Sequence, residues 1–334
     1  MMSDAFDKLV AEIPAIGVDW HTDTILANAR ANAPHAKDTI RGLLPEPERP
    51  CLIVSAGPSL YAKRSLERVA PFYSRSMATF MRATFNVVAI DGSYVQCLRA
   101  GIIPDYVLTL DPHPTRIVRW FGDPDFAANS AGDDYFARQD LDEAFRADAE
   151  RTNAENIALV DDNASKSGLI IACTAPANVV ARTAAFKRLW FAPLVDNPRT
   201  PGSLTRQMSA TAALPALNTG GTVGTAAIIF AHQVLKSRRI AVIGMDMGYA
   251  ADLPHERTQS WNMLKDRKDV ADLYPRITHP QWGECYTDAT YAFYKQNLLA
   301  LLKAGDFEIT NCTEGGALFG PRVECMRLED WANG

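Results

Sequence analysis

The stretch "CLIVSAGPSL", residues 51–60, decides how the rest of the chain is read. Four apolar residues follow one another with no polar alternation, and the run stops at Ser55-Ala56-Gly57-Pro58-Ser59. A strand with one wet face alternates; a strand buried on both faces, as in a parallel sheet, does not. Two readings of the stop stand open here. Either a buried strand ends in an ordinary turn, or the turn holds a phosphate where the next helix starts. Ser59 is a fitting N-cap for a helix over 59–70. Pro58 beside it loses no useful hydrogen bond, because the N–H it lacks would be unpaired there anyway.

The pattern continues outward. "NVVAIDGS" at 86–93 reads as a second buried strand, "YVQCLRAG" at 94–101 as a helix stopped by Gly101, and "PDYVLTLDPHP" at 104–114 as a third strand. "GLIIACT" at 168–174, "KRLWFAPL" at 187–194, residues 239–243 and "FEITNCTEGGALFG" at 307–320 add further strands. Residues 222–235 and 286–305 read as helices, and 197–210 as a polar loop. Strands and helices alternating at these lengths predict an α/β fold, a mainly parallel Rossmann-like sheet with flanking helices. The expected organisation is an N-terminal helical extension at 1–48, a nucleotide-binding transferase domain at 49–322 and a tail at 323–334. The domain carries two polar inserts, at 121–152 and 251–285. A polar insert as long as the second inside a compact domain reads as a lid.

Bulk properties narrow the function. The 334 residues are 47% hydrophobic and 22% charged, with a formal net charge of −5. No dense Lys/Arg block appears, so nucleic acid is not an expected partner, although a single nucleotide needs no basic face. No apolar run reaches membrane-spanning length, and the acidic N-terminal stretch lacks a signal pattern, so a cytoplasmic protein is expected. The six cysteines form no C-x-x-C pair, which argues against a zinc knuckle or redox motif.

Ligands of open parallel sheets bind at the carboxyl ends of strands. The strand ends here carry Gly57-Pro58-Ser59, Asp91-Gly92, Asp111-Pro112, Asp246 and Glu314-Gly315-Gly316. Asn218-Thr219-Gly220-Gly221-Thr222 precedes a helix, so its backbone N–H groups can cradle an anion on the helix dipole, or it can be a tight packing turn. The chain has neither a Walker P-loop nor G-x-G-x-x-G after the first strand. Asp91, Asp111 and Asp246 can hold magnesium through a phosphate, bind a ribose hydroxyl or act as a base. Of the histidines, His232 reads as structural, while His113, His255 and His279 lie on candidate active-site loops and suit general base catalysis near neutral pH.

In order, "GPSL", "AIDGSYVQCLRAGIIPDYVLTLDP", "NTGGTVGTAAIIFA", "IAVIGMDMGYA", "YTDATYAFYKQNLLALL" and "ITNCTEGGALFG" resemble the 6-hydroxymethylpterin diphosphokinase-like domain. That domain also forms the core of the bacterial motility-associated factor (Maf) glycosyltransferases. The likeness covers 50–120 and 215–322, and Met245 stands where Maf proteins usually carry Gln. It implies a sialyltransferase-like fold and a nucleotide-activated small-molecule donor. The implied reaction is glycosyl transfer from a CMP-activated nonulosonic acid to a protein or glycan acceptor. Gly57, Pro58, Ser59, Asp91, Gly92 and residues 218–222 would bind nucleotide. Asp111 and Asp246 would serve catalysis, with His255, which matches a histidine of Maf-like members, as base. Glycosyl transfer of this kind implies no cofactor. The alternative, diphosphate transfer from ATP to a pterin alcohol, implies Mg2+ on Asp111 and Asp246. A second alternative is a nucleotide-binding protein without catalysis.

Overall fold

All four residues of β1 (Cys51–Val54) are fully buried, as the unbroken apolar run requires. The computed structural model describes residues 3–19, 22–80, 84–113, 115–131 and 143–334. Residues 132–142, part of the acidic insert, lie outside that range. β1 is joined by β2 (Asn86–Ile90), β3 (Tyr106–Thr109), β4 (Gly168–Ala172), β5 (Lys187–Leu194) and β6 (Ala216–Asn218). On its other side come β7 (Ile240–Ile243), β11 (Ile309–Asn311) and β12 (Val323–Cys325). The nine-stranded order is β12-β11-β7-β1-β2-β3-β4-β5-β6, and every pairing in it is parallel. The α/β, Rossmann-like reading is therefore correct, with the strands at 51–54, 86–90, 106–109 and 240–243 as neighbours.

One connection sets the topology. From β1 to β6 the chain adds strands in one direction. The helix Val223–Gln233 then crosses back over the sheet and delivers β7 to the free side of β1. Its residues Gly224–Ala231 are all buried, and it shares a core with Ile53, Val88 and Leu108. A helix apolar on every face over such a stretch belongs in the interior. Thr222 caps it, its Oγ1 accepting the N–H of Thr225 at 2.9 Å. The order of strands reverses between β1 and β7, which is where such sheets open a crevice.

Several segments differ from the sequence reading. The insert at 251–285 is not an open loop. With β8 (Tyr249–Ala250), its strands β9 (Arg276–His279) and β10 (Gly283–Tyr286) form a three-stranded antiparallel sheet. This sheet is pinned through Asp288, a buried carboxylate that accepts from Tyr249 Oη at 2.8 Å and Ser260 Oγ at 2.7 Å. Asp288 also caps the helix Ala289–Gly305 by accepting the Tyr291 N–H at 2.8 Å. Within 197–210, Leu204–Thr211 is a helix, because Asp196 gathers the N–H groups of Leu204 and Thr205 and the Ser203 hydroxyl. The helix expected over 59–70 breaks after Ala62, where Arg64 takes a left-handed φ of 49°, and restarts as Ser65–Phe80. Residues 323–334 supply β12 and the helix Leu328–Asn333 instead of a tail. Among the described residues, no helix is long and apolar enough to cross a membrane.

The docking of that C-terminal helix is testable. Trp331 is 4% exposed and meets Phe85 edge-on at 5.6 Å. Truncating a buried aromatic removes its transfer free energy and leaves a cavity. Trp331→Ala is expected to lower stability in urea unfolding by about 3 kcal/mol; a loss below about 0.5 kcal/mol, the level of ordinary surface changes, would mean the helix is not part of the core.

Candidate functional site

Because the strands are parallel, their carboxyl ends share one edge. At the centre of that edge the turns after β1 and β7 interlock. The Gly57 N–H donates to the Gly244 carbonyl at 2.8 Å, and the Ser55 N–H to the Ile243 carbonyl at 2.9 Å. A Cβ on Gly57 would overlap Asp246 Oδ2 and stand 2.5 Å from the Gly244 oxygen. Ser59 Oγ donates to Asp246 Oδ2 at 2.8 Å. Burial pushes the Asp246 carboxyl above its usual range, and the Ser59 hydrogen bonds and the Lys63 charge counter that push. The Asp246 carbonyl accepts from Ala317 at 2.7 Å, and Thr313 Oγ1 from the Met245 N–H at 3.1 Å. Gly57, Ser59 and Asp246 are thus engaged with one another as a knot.

Beside the knot a cleft of about 680 Å³ opens at the same edge. Asp91 after β2, Leu110 to Pro112 after β3, and Asn218 to Val223 after β6 line it, facing Tyr294 and Asn297 of the helix Ala289–Gly305. The structure therefore brings Asp91, Asp111 and the whole 218–222 turn to one cavity. Gly57, Pro58, Ser59, Gly92 and Asp246 are not among its lining residues, although Gly92 follows Asp91 in the chain and donates its N–H to that carboxylate. The pairing of Asp111 with Asp246 that the resemblance implied for magnesium is not reproduced in this lining, where Asp111 is joined by Asp91. Among the described residues, no group of three or more His, Cys, Asp or Glu is arranged to hold a metal.

The turn is built from glycine conformations. Gly220 and Gly221 have φ of 57° and 89°, a region that side chains disfavour. Asn218 Oδ1 accepts the Gly220 N–H at 3.0 Å, and the Thr219 carbonyl accepts the Thr222 N–H at 3.2 Å. Both N–H groups are spent inside the turn, which leaves those of Gly221 and Val223, also in the lining, as candidate donors to an anion at the helix start.

Asp91 is 5% exposed. Its Oδ2 accepts from Thr109 Oγ1 at 2.8 Å and its Oδ1 from the Gly92 N–H at 2.7 Å. Burial pushes its pKa up to about 7, the two hydrogen bonds resist, and the Asp111 charge adds to the rise. Asp111 is exposed and accepts the His113 N–H at 2.7 Å. These two carboxylates are the charged side chains among the described residues lining the cleft.

The histidines take other places. His255 is stacked on Tyr274 at 4.3 Å and meets Tyr286 edge-on at 4.9 Å, outside the cleft lining. His279 is buried; its Nδ1 accepts the N–H groups of Gln281 and Trp282, and its ring stacks on Trp282 at 4.6 Å. It closes the β9–β10 hairpin. His113 Nδ1 accepts from the Thr115 and Arg116 N–H groups at 3.3 Å, holding the turn after Asp111. In this structure the segment expected as a lid is docked through Asp288, and both of its histidines sit among aromatic rings. Sequence reading missed Thr174, Phe293, Tyr294 and Asn297 in the lining, and Ile13 and Ile25 of the N-terminal helices. Phe293, Tyr294 and Asn297 belong to the quoted stretch 286–302, which carried no binding signal of its own; only the fold brings these residues together.

No family model matches the chain, and no curated protein matches it. Among solved structures, the chain is similar to the Maf glycosyltransferase from Magnetospirillum magneticum AMB-1. The TM-score is 0.52 at 15% identity, over 92% of this chain and 38% of that one. The chain thus spans well under half the length of that protein, and the likeness is one of fold.

Two outcomes test the geometry. Gly57→Ala is expected to lower stability by about 1–3 kcal/mol, because the new methyl meets backbone and a fixed carboxylate; unchanged chemical denaturation would contradict the interlocked turns. For Asp91 the sign follows from its raised pKa. The folded protein holds that proton more tightly than the unfolded chain, so the contribution is present below about pH 4 and is lost as pH climbs through about 7. Asp91→Asn carries no such loss, and its melting temperature is expected to gain on the wild type from pH 4 to pH 8. A constant difference across that range would show an ordinary, solvated carboxyl.

Proposed function

We propose that the chain is a transferase using a nucleotide-activated donor, and that its reaction is glycosyl transfer from a CMP-activated nonulosonic acid to a hydroxyl of a protein or glycan. The observation that carries this reading is the convergence of Asp91, Asp111 and the 218–222 turn on one cleft beside the β1/β7 switch point. The fold likeness to a Maf glycosyltransferase supports it. The donor phosphate lies at the start of the helix Val223–Gln233, held by the N–H groups of Gly221 and Val223 and by the helix dipole. As the acceptor oxygen bonds to the anomeric carbon, the bond from that carbon to the phosphate oxygen breaks. Its electron pair leaves with CMP, and the same N–H groups meet the added charge. The acceptor's proton passes to Asp91, the ionisable group whose pKa of about 7 suits a base at neutral pH. Asp91 takes the role that the sequence assigned to His255.

The charge of the cleft also frames the alternative. A CMP-linked nonulosonic acid brings one phosphodiester charge and the carboxylate of its sugar. A triphosphate brings several, and beside Asp91 and Asp111 it requires a divalent cation between them. Diphosphate transfer from ATP would thus use Mg2+ on Asp91 and Asp111.

A thermal-shift series with CMP, CDP, UDP and ATP, each with and without Mg2+, separates these readings, because a ligand of the folded state raises the melting temperature. CMP is expected to stabilise without metal. Stabilisation by ATP with Mg2+ and none by CMP would favour the diphosphokinase. With the correct donor and acceptor, Asp91→Asn is expected to cut turnover roughly 10²–10⁴-fold while CMP still binds, and His255→Ala to leave turnover within a few-fold. A fully active Asp91→Asn would remove Asp91 from the chemistry.

A further inference from the structure

The N-terminal helices are anchored on two different walls of the cleft. Asp4–Asp19 lies on the helix Ala289–Gly305, and its Phe6 and Val10 are buried with Tyr249, Leu273 and Tyr286. Thr22–Asn32 lies on the helix Leu204–Thr211, with Ile25 and Ala29 in the cluster around Met208 and Trp190. Its polar anchors are specific. Asn32 Nδ2 donates to the carbonyls of Cys173 at 2.8 Å and Ala175 at 2.7 Å, and Asn28 Nδ2 to that of Thr174 at 2.9 Å. From these two footings each helix contributes one isoleucine, Ile13 and Ile25, to the cleft lining. Leu204 and Phe293 of the two supporting helices, and Val195 just after β5, also line the cleft and are apolar. The carboxylates and the glycine turn come from other segments, 91–111 and 218–222.

We infer that Ile13 and Ile25 form an apolar subsite of this cleft, which takes a short, uncharged acyl or alkyl substituent of the ligand whose polar part lies at Asp91, Asp111 and the 218–222 turn. The inference rests on the reading of the cleft as a ligand site and deepens it by naming a chemical class. A charged substituent among these side chains would lose its water with no partner to replace it. An apolar one gains with each methylene that leaves water. The N-terminal helices are then part of the binding site, and their side chains set which substituents fit.

The test uses the full chain and probes that are independent of the nucleotide. Acetamide, butanamide and hexanamide are titrated while the Ile13 and Ile25 δ-methyl signals are followed by NMR, with Ile13→Val and Ile25→Val for assignment. Both methyls are expected to shift, with affinity rising roughly four-fold per methylene until the subsite is filled. Ile13→Ala and Ile25→Ala are expected to weaken hexanamide binding at least five-fold while CMP binding is unchanged. In parallel, CMP is titrated against the Gly221 amide signal. Gly221 responding to CMP while neither isoleucine responds to the amides overturns the subsite and leaves the nucleotide reading intact. Isoleucines that respond while Gly221 is silent uphold the subsite and overturn the nucleotide reading. Affinity independent of chain length overturns the subsite whatever CMP does.

Discussion

The carboxyl ends of β1 and β7 approach so closely that the Gly57 N–H reaches the Gly244 carbonyl at 2.8 Å. This close approach fixes much else. Gly244, with φ of 66°, turns the chain where a Cβ would stand 2.5 Å from the Ser55 carbonyl oxygen. Asp246 is drawn inward onto Ser59, and its backbone is pinned by Ala317. The long crossover that lays β7 beside β1 needs this fit, because a side chain at Gly57 would force the two strand ends apart. Polar groups at the switch point are thereby committed to structure. The groups left for chemistry stand one or two strands away, on β2 and β3, and across the crossover at the turn after β6.

Asp91 joins the two roles. Its neighbours hold it rigidly, with Thr109 on one oxygen and the Gly92 N–H on the other. The same burial that makes it rigid raises its pKa to about 7. A carboxyl tuned by burial, set in a cleft and lying near a second carboxylate, is the arrangement expected of a proton-transfer group. Asp111 is exposed and accepts from the N–H of its own turn. In the proposed reaction the cleft separates its tasks: backbone at the helix start meets negative charge, Asp91 handles a proton, and apolar side chains from several elements exclude water.

The sheet was legible in the sequence because buried parallel strands write unbroken apolar runs, and β1, β2, β3 and β7 each have one. β6 and β12 were not, since three residues at a sheet edge carry too little pattern. The cleft was half legible: Asp91, Asp111 and the 218–222 turn stand at strand ends that punctuation residues mark. The placement of Asp246 was not legible, because an Asp after a buried strand looks the same whether it faces a ligand or accepts from Ser59. The placement of His255 was hidden for a similar reason. Its chemistry suits catalysis, but its position between Tyr274 and Tyr286 depends on the three-stranded sheet, whose short strands sit in a polar segment. Ile13 and Ile25 carried no signal beyond helical periodicity, since only the packing of their helices on opposite walls brings them to one cavity.

A crystal structure of the protein with CMP tests the central claim most directly. The account predicts phosphate oxygens within about 3 Å of the N–H groups of Gly221 and Val223, with the rest of the nucleotide in the cleft beside Asp91. CMP bound instead in the groove at the opposite edge of the sheet, lined by His232, Lys236 and Arg322, with the 218–222 turn untouched, would contradict it.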